Sequence, residues 1–239
     1  MTALLRYQTA ILLRSHRWIF PLIAYGLLIA VGAAGSTSLA ETLDWSGALL
    51  VPVVAFLTRG MLTAEPDAAR ACVAAAASPA RAQLATLIVP LGGGAVLGIA
   101  ATVFDVLTAE AATKAPESGL PDKVAAAADH LGIVLGGLLI ALVCLLVGSA
   151  VGALCNPPLL RHPAAAMLST LAAIIVALAA DVSPASAAIS HTTAQAAGPL
   201  AANWPGTGSL LGAACLLAVT WAVSVIAATR RDTWSVSSS

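Results

Sequence analysis

Charge is what this 239-residue sequence has least of: Asp, Glu, Lys and Arg together make up 9% of it. An ordinary soluble domain carries about 25%. Aromatic residues are also sparse, at 4%. Lysine occurs only twice, at Lys114 and Lys123. No GxxxxGK[ST] loop is present, so the chain cannot cradle nucleotide phosphates in that way. There is no CxxC pair and no HExxH. The histidines, His16, His130, His162 and His191, have no carboxylate pair at ligand spacing, which leaves no zinc site to read. The cysteines, Cys72, Cys144, Cys155 and Cys215, are irregularly spaced and specify no disulfide framework. Ser149 sits in Val-Gly-Ser-Ala-Val-Gly without the turn and later His that an intramembrane serine protease needs, so it reads as a packing residue. Formal net charge is zero, so the total says nothing about nucleic acid, and no nucleic-acid partner is expected.

What is present is apolar surface. Hydrophobic residues are 59% of the chain, and the mean hydropathy is +0.94. Too little polar surface remains to clothe a soluble globule, and disorder needs the opposite composition. A bilayer core of about 30 Å takes roughly 20 apolar residues of helix. Six segments meet that length: 18–35, 46–63, 84–104, 131–155, 164–181 and 207–229. The expected fold is an all-α integral membrane protein, one transmembrane domain over 1–239. The first span follows three arginines, as a signal peptide would. Its apolar run has the length of a span, so it is expected to stay in the protein. With the N-terminus inside, six crossings put all nine arginines on the cytoplasmic side and only the two lysines outside. Eight of the eleven acids, Asp44 and Asp105 among them, fall outside. That asymmetry predicts both termini in the cytoplasm. Arginine rather than lysine, with abundant Ala, Gly and Pro, points to a GC-rich bacterial gene.

The segments between spans carry further signals. Residues 4–17 have no helix breaker. Arg6, Arg14 and Arg17 share one side of the wheel, and Leu4, Leu5, Ile11 and Leu12 the other, as in a helix lying in the inner interface. Glu65-Pro66-Asp67 followed by an Ala-rich run and Ser78-Pro79 predicts a short cytoplasmic helix over about 66–78. Residues 105–130 read as a long polar exterior loop, and 182–206 as a weakly charged one. Gly132, Gly136, Cys144, Gly148 and Gly152 recur at multiples of four, and Gly94 and Gly98 make a similar pair, so both sets are expected at close helix contacts. Pro52 and Pro90 are possible bends. No acid or histidine occupies the middle of a span, which weighs against ion-coupled transport.

An interfacial N-terminal helix, six spans, a short helix in the first cytoplasmic loop and a weakly charged last exterior loop together resemble the permease subunit of an ABC-2 type ABC transporter. The segments Leu4-Leu5-Arg6-Tyr7-Gln8 through Arg14-Ser15-His16-Arg17-Trp18, and Thr63-Ala64-Glu65-Pro66-Asp67-Ala68-Ala69-Arg70, look like those of actinobacterial members. The long loop between spans three and four departs from the family's short connection. The resemblance implies a non-enzymatic exporter subunit in the cytoplasmic membrane, paired with a second permease, a copy of itself or a similar chain. A separate P-loop ATPase would bind the ATP and magnesium, so this chain needs no cofactor. Glu65, Pro66, Asp67 and Arg70 would form the coupling contact. The competing reading is a non-catalytic scaffold for another membrane protein.

Overall fold

The computed structural model describes residues 1–16, 18–35, 38–112, 120–155, 163–179 and 207–236. Within them the chain forms eight helices: α1 (Thr2–Arg14), α2 (Ile19–Gly35), α3 (Leu39–Leu62), α4 (Asp67–Ala77), α5 (Pro79–Ala112), α6 (Leu120–Leu154), α7 (Pro163–Ala179) and α8 (Thr207–Val236). Four of these, α3, α5, α6 and α8, are long and apolar enough to cross a membrane, and α1 with α2 makes a fifth if that pair is one span bent by 73°. Length and composition make this a multi-pass membrane protein. The expected count of six is not reached by this measure. At 17 residues each, α2 and α7 rise only about 26 Å, short of a core of about 30 Å.

Helix ends follow local chemistry. The Ser38 hydroxyl accepts from the Glu41 amide at 3.3 Å and caps α3, the start of an S-x-x-E pattern. This cap begins α3 seven residues before the expected span. The expected loop over 105–130 is largely helix as well. α5 continues to Ala112 and α6 starts at Leu120, leaving only 113–119 outside the described residues. Alanine, the best helix former, fills both extensions, at Ala109, Ala111, Ala112 and Ala125–Ala128. Scattered charges there do not stop the helices. α3 and α5 also run unbroken through Pro52 and Pro90.

α3 is the centre of the bundle and packs against α2, α5, α6 and α7. Its contacts with α6 run in parallel: Gly137 faces Leu43, Gly148 faces Val51, and Gly152 faces Ala55 and Thr58. α5 lies antiparallel to both, with Gly94 against Val54 and Leu145, and Gly98 against Leu50 and Ala141. Glycine is required where backbones meet. A Cβ at Gly148 would stand 2.7 Å from the Val51 carbonyl oxygen, and one at Gly152 would stand 2.8 Å from that of Ala55. In the upper part of the α6 stripe, Gly132 is half-buried and Gly136 buried, and Gly137, which the four-residue spacing did not single out, also approaches closely, against Leu43. Apolar side chains also face outward: Phe20 is 81% exposed and Leu168 69%, as a lipid-facing surface requires.

Candidate functional site

Two polar clusters lie at opposite ends of the bundle. The first surrounds α4. Pro66 takes the cap position in an extended conformation (φ −61°, ψ 147°), and α4 runs from Asp67 to Ala77. Ser78 then adopts φ 75°, a left-handed backbone that side chains other than glycine occupy at a cost. Pro79, which has no amide hydrogen to leave unpaired, opens α5. This joint makes α4 a separate helix between α3 and α5, in keeping with the expected helix over 66–78.

Glu65 was expected to project its charge outward, and the structure corrects this. It is 9% exposed. The Tyr7 hydroxyl donates to Glu65 Oε1 at 3.1 Å, and Gln8 Nε2 donates to Oε2 at 3.4 Å. Gln8 is itself 1% exposed. It lies on the α1 face formed by Leu4, Leu5, Ile11 and Leu12, all half-buried, while Arg6 and Arg14 are exposed. The amphipathic wheel is therefore as expected, but its apolar face covers protein, α5 included, with a glutamine at its centre. Burial, the Glu65 hydrogen bond and the Glu65 charge together raise the Tyr7 phenol above its ordinary 10.0, so it remains a donor at neutral pH.

Arg70 is also turned inward. Its Nη2 donates to the Leu62 carbonyl, one of the unpaired acceptors at the negative end of α3. Pro66 is exposed, and the side chain of Asp67 lies outside the described residues. What α4 presents outward is small and apolar: Ala68, Ala71, Cys72, Ala75 and Ala76 are exposed, the spacing of one helical face. Exposed Arg6, Arg14 and Arg81 give this end of the bundle a positive character.

The second cluster was not anticipated. Because α3 starts at Leu39 and α5 runs to Ala112, Asp44 and Asp105 are helical residues packed inside the bundle, 7% and 1% exposed, rather than exterior loop acids. Tyr25 of α2 joins them, donating from its hydroxyl to the Ser46 carbonyl at 3.2 Å. Of apolar features, a groove of about 340 Å³ between α5 and α6, floored by Leu50, Gly94 and Gly98, carries no polar chemistry. No group of three or more potential metal ligands occurs among the described residues. No family model matches this chain, and neither does any curated protein or solved structure.

Proposed function

We propose that this protein is the permease subunit of an ATP-driven ABC-2 type exporter in the cytoplasmic membrane. The observation that carries the reading is α4: a separate helix set between two long apolar helices, braced from behind by Glu65 and Arg70, with a smooth outer face. A helix so braced transmits a push to α1, α3 and α5 together. In this proposal a P-loop ATPase docks on that face, with Pro66 and Asp67 at its edge. Glu65 and Arg70 then serve as internal struts rather than as the contact itself. ATP is hydrolysed in the partner, since this chain has no phosphate loop. The transmembrane arrangement proposed is six crossings with both termini in the cytoplasm, α2 and α7 being the short ones. The antiparallel order of α3, α5 and α6 favours alternating passes, and the basic asymmetry of the sequence sets their direction. A second permease completes the core.

Affinity purification of the full chain in mild detergent tests the reading. A copurifying P-loop ATPase, lost when Ala71 and Ala75 on the outer face are changed to Glu, is the expected result. Purification without any ATPase, or with a different membrane protein in its place, favours the scaffold.

A further inference from the structure

At the end of the bundle opposite α4, Asp105 is a carboxylate that no cation answers among the described residues. It is 1% exposed, and its Oδ2 has no hydrogen-bond partner. The titratable and polar groups around it come from three elements: Tyr25 of α2, Asp44 and Ser46 of α3, and Cys144 of α6, the last beside Tyr25 and Asp44. α8 also packs on α5, but Cys215 is the one titratable group among its described side chains, and it is exposed. The described basic side chains, Arg6, Arg14, Arg59, Arg70, Arg81 and His16, belong to the α4 end.

The donors near Asp105 are too few for both of its oxygens. The Ser46 hydroxyl is within hydrogen-bonding reach of the carboxylate, and its one proton is shared between that carboxylate and the Leu43 carbonyl at 3.1 Å. The Tyr25 proton goes to the Ser46 carbonyl. What stays without a donor is Asp105 Oδ2. A carboxylate sealed from water, with one oxygen lacking a donor and no cation beside it among the described residues, is left with its charge uncompensated. A proton compensates it: the carboxyl becomes a donor, and the neighbouring oxygens can accept. No room for a larger ion is needed.

We propose that Asp105 is a proton-binding site of the bundle, holding its proton while the end opposite α4 is closed. When that end opens, the O–H bond breaks, the proton passes to water and the electron pair stays on the carboxylate. Opening is thereby linked to the acidity of the compartment that this end faces. The proposal is independent of the ATP-driven reading above and stands or falls separately from it.

Infrared spectroscopy of the purified full chain tests it directly. At mildly acidic pH the wild type should show a protonated-carboxyl C=O band that shifts in D₂O and is missing from Asp105→Asn. A wild-type spectrum without that band, or one that Asp105→Asn leaves unchanged, overturns the assignment. Thermal unfolding gives a second readout. Asparagine is isosteric with the neutral acid, so Asp105→Asn should fold and melt like the wild type at mildly acidic pH. The wild type alone should lose stability as pH rises. An Asp105→Asn protein that does not fold, or a wild type stabilised by sodium rather than by acid, counts against the proposal.

Discussion

Glu65 shows how one side chain changes its meaning when its neighbours are known. In the sequence it is an acid beside a helix start, and such acids are mostly solvated. What buries it is Gln8, a polar residue on the apolar face of α1 fifty-seven positions away. A pattern read along one helix cannot reveal a partner from another, although a glutamine amid Leu4, Leu5, Ile11 and Leu12 was a signal that something polar would face it. Glu65→Ala would leave the Gln8 amide buried without an acceptor, at about 1–3 kcal/mol. Lower thermal stability of the detergent-purified variant, with Glu65→Gln intermediate, is the expected result. Tyr7 adds a pH signature. Its phenol is raised in the folded state, so its contribution is complete below the ordinary value of 10.0 and is lost as pH climbs through the folded value. Wild type should lose stability in that alkaline range, while Tyr7→Phe should lack this component of the loss. Ser78 makes the opposite kind of prediction. With φ 75°, Ser78→Gly should relieve strain and stabilise the protein by about 1 kcal/mol, provided the added freedom of the unfolded chain does not offset it. Equilibrium unfolding of the two proteins side by side measures the balance.

Among the elements, the helical class and the position of α4 were legible because apolar runs, Pro66 and the Ser78-Pro79 break act locally. The ends of the long helices were not. Charges at Asp105, Glu110, Asp122 and Asp129 suggested a loop, whereas alanine propagates the helix and the acids ride along it, with Asp105 turned inward. The Ser38–Glu41 cap was visible in the sequence but lay outside the apolar run used to place the span. The glycine stripe was legible in part: Gly94, Gly98, Gly148 and Gly152 meet neighbouring helices closely, and Gly137, outside the four-residue spacing, does so too. Spacing by four follows one face only approximately, since a helix turns in 3.6 residues, and register drifts over twenty positions. The contrast predicts a graded outcome. Gly148→Leu and Gly152→Leu would drive side chains into the Val51 and Ala55 backbone and should destabilise by about 1–3 kcal/mol. Gly92→Ala, on α5 where an added Cβ would meet nothing within 4 Å, should change unfolding free energy by a few tenths of a kcal/mol or somewhat more, in the favourable direction expected of alanine in a helix. Equal losses at all three positions would mean that α3 and α6 do not share this interface.

For the whole molecule, the decisive property is which end faces the cytoplasm, because both α4 and Asp105 take their meaning from it. Two independent features align. The described arginines belong to the α4 end, and Asp44 and Asp105 belong to the other. A membrane protein oriented by its basic residues places the first end inside. Native Cys72 turns that argument into a measurement, since it is exposed on the outer face of α4, whereas Cys144 and Cys155 are buried and Cys215 lies on the apolar surface of α8. An impermeant thiol reagent should therefore leave Cys72 unlabelled in intact cells and label it in inverted vesicles. A cysteine introduced at Ser118 should behave in the opposite way. The same thiol reports on docking: if an ATPase seats on α4, labelling of Cys72 in inverted vesicles should slow when the complex is intact and recover when peripheral proteins are stripped away. Labelling of Cys72 from outside intact cells would reverse the topology, and with it the side from which Asp105 exchanges its proton. Labelling from inside at a rate indifferent to stripping would keep the topology and remove the ATPase from α4.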